Sequence, residues 1–62
     1  MWIISVDETY YPYIIQFKSE EEAKNRYDKM IQRLDRDKET AIFLAEVKEY
    51  ATGADYEIEF ST

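Results

Sequence analysis

A helix-start signal stands between two β-like halves of this chain, and it sharply limits the folds available. In Ser19-Glu20-Glu21-Glu22 the serine oxygen can accept from the Glu22 N–H while the Glu22 side chain reaches back to the Ser19 N–H, which is a capping box. Three acids in the first turn also suit the positive end of a helix dipole. Downstream, Ala23, Tyr27, Met30, Ile31 and Leu34 recur at helical spacing and form a stripe ~100° wide, as expected of a helix lying on a sheet. The spacing predicts a helix over 20–37, with Glu20–Lys24 and Glu22–Arg26 at the favourable i, i+4 order.

The flanks have a different period. Trp2-Ile3-Ile4-Ser5-Val6 is β-branched and aromatic, Asp7-Glu8-Thr9 supplies a polar turn, and Tyr13-Ile14-Ile15-Gln16-Phe17-Lys18 follows as a second strand. Pro12 sits at the mouth of that strand, where a missing N–H does little harm. Beyond the helix, Thr40 to Tyr50 turns β-like again, and Tyr56-Glu57-Ile58-Glu59-Phe60 alternates apolar with acid. Gly53, the one glycine, lies in the loop between them. The expected architecture is a single α+β domain over 1–62, ββαββ in order, with a four-stranded sheet and one helix on one face. Phe17, Phe43, Val47, Ile58 and Phe60 are expected to point inward. Ile3, Ile14, Ile42 and Leu44 then fall on the face away from the helix, where a contiguous aliphatic patch marks an interface.

At 62 residues such a chain buries only ~60% of the surface its unfolded form exposes, so it needs support. With no cysteine, disulfides and thiolate zinc sites are excluded, and with no histidine the commonest metal ligand and general base are missing. Self-association is the support left, and a twofold homodimer through the sheet face or a strand edge is expected. The N-terminal apolar run, Met1 to Ile4, is too short for a signal peptide or a membrane span, so a cytoplasmic chain is expected.

Chemistry is sparse. One glycine cannot make a phosphate-binding loop, and no cofactor is expected. Asp35-Arg36-Asp37-Lys38-Glu39, with Glu46 at the twelfth place, has the outline of a calcium loop. Thr40 stands where that loop needs glycine, though, and Arg36 and Lys38 would repel the ion, so a charged helix end is the better reading. Glu57 and Glu59 share one face of a strand but lack the cleft that acid–base work needs. The tyrosines Tyr10, Tyr11 and Tyr13 would suit a stacking platform for nucleic acid only beside a basic groove, which is missing; hairpin packing or a protein-binding anchor fits better.

The charge is the informative quantity. The net is −6, which argues against direct binding of nucleic acid or an anionic membrane. Residues 19–39 hold seven acids and six bases, whereas the remainder holds Asp7, Glu8, Glu46, Glu49, Asp55, Glu57 and Glu59 against only Lys18 and Lys48. In size, acidity and layout the chain resembles the small phage-encoded proteins that mimic DNA to block host DNA-binding proteins. That resemblance implies a non-catalytic inhibitor docking on a basic host protein, with those seven acids standing in for phosphates. The alternative is a plain interaction module using Ile3, Ile14, Ile42 and Leu44.

Overall fold

Ile4, which is fully buried, marks the centre of the fold. It lies on β1 (Trp2–Glu8), the middle strand of a three-stranded antiparallel sheet of order β2-β1-β3. The neighbours are β2 (Tyr13–Phe17) and β3 (Thr40–Glu46), and a single helix, α1 (Glu20–Gln32), joins them in the order ββαβ. The computed structural model describes residues 1–35 and 38–61.

The hairpin forms where the sequence asks for it. Trp2 stands opposite Phe17, Ile4 opposite Ile15 and Val6 opposite Tyr13, so one face of each strand is apolar throughout. β1 runs two residues further than its hydrophobic pattern, through Asp7 and Glu8, because β3 supplies partners there in Ala41 and Thr40. The turn is correspondingly displaced to the segment ending at Pro12, immediately before β2.

The helix opens at the expected cap. Ser19 has extended backbone, and its Oγ accepts from the Glu22 N–H at 3.3 Å. Ala23 is fully buried, and Tyr27 and Met30 pack on the core beside it. A small residue at position 23 lets the helix approach the sheet closely. The helix stops at Gln32, short of the expected 37; of that excess, Arg36 and Asp37 lie outside the described residues. Its last turn tightens, with Arg33 N–H on the Met30 carbonyl and Leu34 N–H on the Ile31 carbonyl, both at 3.1 Å. Past Leu34 no apolar residue remains to hold another turn on the sheet, and Asp35 would face the negative end of the dipole. Among the described residues the ion pair on α1 is Lys24–Asp28 at 2.6 Å; neither expected pair, Glu20–Lys24 or Glu22–Arg26, forms, and the observed one has the base N-terminal to the acid, the less favourable order.

Two expectations change. The phase of β3 is reversed: Ile42 pairs with Val6 and Leu44 with Ile4, so both turn toward the helix and pack on the core, while Phe43 turns away. Five consecutive apolar residues, Ala41 to Ala45, leave that phase unmarked in the sequence, and pairing with β1 decides it. The expected fourth strand is reduced to one parallel bridge between Gln16 and Phe60. Continued alongside β2, that ladder would set Tyr56 opposite Pro12, which has no N–H to give.

The core is small. Among the described residues only Ile4, Val6, Phe17 and Ala23 are buried. The accessible surface is 5301 Å², against roughly 4,200 Å² for a typical folded monomer of this mass. The radius of gyration is 12.6 Å, where a compact domain of this length has about 10.6 Å. The chain thus exposes about 1,100 Å² more than a typical folded monomer of this mass. No helix among the described residues is long and apolar enough to cross a membrane.

Candidate functional site: the outer sheet face and the acidic arm

Strand alternation places Ile3, Ser5 and Asp7 of β1 on the face opposite the helix. Ile14 and Gln16 join them from β2, and Ala41, Phe43 and Ala45 from β3. The registers align these side chains in rows across the sheet. One row runs Ile14, Ser5, Phe43, and the next runs Gln16, Ile3, Ala45. Ile14 is 58% and Phe43 54% exposed, so the row with small Ser5 at its centre is a shallow trough between two bulky side chains. Pro12, Asp7 and Tyr56 complete its wall.

Of the interface residues read from the sequence, Ile3 and Ile14 are on this face. Ile42 and Leu44 are not: they belong to the helix side, because β3 sits in the opposite phase. Phe43 and Tyr56 take their place, and the sequence reading missed both. Gln16 is the signal that could have found this face, as the polar position of an otherwise apolar strand.

The chain after β3 crosses from one side of the sheet to the other. Val47 N–H still bonds the Met1 carbonyl at 2.9 Å, continuing the β1–β3 ladder by one pair. The segment then turns at Gly53, whose carbonyl accepts from the Tyr56 N–H at 3.3 Å. It reaches the far edge beyond β2, where three contacts hold it. Gln16 Nε2 donates to the Tyr56 hydroxyl at 3.3 Å, Ser61 N–H donates to the Gln16 carbonyl at 2.8 Å, and Lys18 Nζ lies 5.4 Å from the centre of the Phe60 ring. Gln16 therefore fixes this arm through its side chain and its backbone together.

Counted from Glu46, the last residue of β3, the arm (residues 46–61) carries five of the seven singled-out acids: Glu46, Glu49, Asp55, Glu57 and Glu59. All five are exposed. Lys48 is its one base, and it pairs with Glu46 at 3.5 Å, with both side chains largely in water. Such a pair contributes little to stability. Asp7 and Glu8 are not with them. They lie at the other end of β1, about 17 Å (Asp7) and about 20 Å (Glu8) along the strand from Trp2, the residue opposite Glu46. The seven acids form a group of five on the arm and a separate pair at the opposite end of the sheet.

Tyr10 and Tyr11, in the β1–β2 connection, are both exposed and do not pack the hairpin. Among the described residues no cluster of acids is arranged to hold a metal ion; Asp37, part of the calcium-loop outline, lies outside them. No buried polar or charged side chain occurs among the described residues. No family model matches the chain, and comparison with curated proteins and with solved structures gives no match.

Proposed function

We propose that this chain is a non-catalytic binding protein that docks its acidic arm on a basic, DNA-binding surface of a partner protein and so modulates or inhibits that partner. The observation that carries the reading is the concentration of charge. The sixteen residues of the arm hold a net −4 out of the chain's −6, and every acid among them faces solvent. Duplex DNA presents one charge per ~1.7 Å of axis; the acids of a single arm are sparser than that, and a twofold dimer carrying twice −6, that is −12, with two acidic arms, comes closer to it. Carboxylates on an open surface suit this role and not acid–base catalysis, which wants a sequestered group with a raised pKa.

The test is retention of partners from a bacterial lysate on the immobilised full chain, eluted first by salt and separately by duplex DNA. Charge mimicry predicts a basic DNA-binding protein that is released between low and moderate salt and displaced by free duplex. A partner that survives the salt wash, or one that is not basic, contradicts it. That outcome would favour the second reading, an interaction module working through the outer face, which the exposure of Ile14, Phe43 and Tyr56 supports.

A further inference from the structure

The two edges of the sheet are not equivalent. The β2 edge is occupied at one end by the arm, through Ser61 on Gln16 and Phe60 under Lys18. Among the described residues no second strand pairs with β3 along Thr40–Glu46, and the strand lacks several of the devices that keep edge strands apart. It has no proline and no lysine, and no charge before Glu46.

One hydrogen bond sets the phase of its free groups. Met1 and Val47 are opposite one another in the β1–β3 register, and the Val47 N–H bonds the Met1 carbonyl. Antiparallel pairs alternate between bonded and non-bonded. Residues 41, 43 and 45 therefore spend their N–H and C=O groups on β1, while 42, 44 and 46 aim theirs at the open edge. The Thr40 N–H is already taken by the Lys38 carbonyl at 2.9 Å.

We propose that β3 is the seam of a twofold homodimer, pairing antiparallel with β3 of a second copy in a register centred on Phe43, to give a continuous six-stranded sheet. Phe43 is the midpoint of the strand, so this register is its own complement. Ile42 of each copy stands opposite Leu44 of the other, and they exchange N–H···O=C bonds through the groups left free. Ala41 meets Ala45. Glu46 meets Thr40, whose carbonyl can accept the Glu46 N–H, so the one charged residue of the strand faces a neutral polar one. On the helix side the half-buried Ile42 and Leu44 each gain an aliphatic neighbour. On the outer face the two Phe43 rings fall at a non-bonded pair, the closer kind, where aromatic side chains meet. No like charges oppose one another within the strand, and nothing on it from Thr40 to Ala45 would recognise a charged partner. A second copy is the occupant that fits. The dimer does not depend on what the acidic arm binds.

The test is sedimentation equilibrium of the full chain from low to several hundred micromolar, repeated for Phe43→Lys, for Phe43→Glu and for their equimolar mixture. The wild type is expected to dimerise. Each single variant is expected to weaken the dimer roughly tenfold or more, through loss of the aromatic pair and like charges placed opposite, and the mixture to recover it as a heterodimer. Circular dichroism checks that the variants fold. A synthetic chain N-methylated at Leu44, which keeps every side chain and every bond to β1, is expected to be monomeric as well. A wild type that remains monomeric throughout overturns the proposal. So does a dimer indifferent to Phe43→Lys or to the N-methyl group, or a mixture that fails to pair.

Discussion

Isoleucine to valine removes the same methylene wherever it is made, so a series at Ile3, Ile4, Ile14, Ile15 and Ile42 reads the two faces of the sheet directly. At Ile4, fully buried between Ile15 and Leu44, the loss is the transfer energy of one methylene plus a residual cavity, about 1 kcal/mol. At Ile14, 58% exposed, less than half of that methylene's burial is at stake, and the cost falls to about 0.3 kcal/mol. Ile3, Ile15 and Ile42, all half-buried, fall between these values. A chain of this length has a total stability on the order of 3–9 kcal/mol, so each step is measurable. Urea unfolding at a few micromolar, followed by far-UV circular dichroism and by the fluorescence of Trp2, is the assay. With a denaturant slope of about 1 kcal/mol/M, the midpoint moves by about 1 M at Ile4 and about 0.3 M at Ile14. A loss at Ile14 equal to that at Ile4 would refute the assignment of faces. A loss at Ile42 smaller than at Ile14 would refute the phase of β3 in particular.

Ser19→Ala should cost about 1 kcal/mol, because the Glu22 N–H loses its acceptor at the helix start; the helical circular dichroism signal and the urea midpoint should fall together. Gly53→Ala should be neutral or stabilising by up to about 1 kcal/mol, since an added methyl meets nothing within 4 Å and the backbone there does not need positive φ; a destabilised variant would contradict that geometry. Lys24→Met should change stability by less than about 0.5 kcal/mol, because its pair with Asp28 is half in water; thermal unfolding at low and high salt would show it.

Much of the fold is legible in the sequence where two independent signals agree. The cap at Ser19 and the stripe beginning at Ala23 both mark the helix start, and the alternation of Tyr13, Ile15 and Phe17 against β1 marks the hairpin. Legibility fails where one signal stands alone. The run Ala41 to Ala45 is apolar on both faces, so only the neighbouring strand tells Ile42 from Phe43. The alternation of Tyr56 to Phe60 is that of a strand, yet alternation cannot supply a partner edge, and Pro12 stands where the parallel ladder would have to continue. The sequence places the helix end too late because charged residues continue the helical composition after the apolar stripe has ended at Leu34. At the candidate site the acids are visible in composition alone, but their division into an arm of five and a distant pair follows from where β1 ends and where the chain crosses the sheet. Phe43 and Tyr56 entered the outer face only through that tertiary geometry.

On the proposed reading the arm, and not the apolar outer face, meets the partner. The most direct measurement is the amide spectrum of the ¹⁵N-labelled full chain titrated with the basic protein retained in the capture experiment. The expected result is that the largest shifts fall on Glu49, Asp55, Glu57 and Glu59 and collapse as salt is raised, with Ile14, Ser5 and Phe43 little changed. Shifts confined to Ile14, Ser5 and Phe43 and persisting at moderate salt would contradict the account.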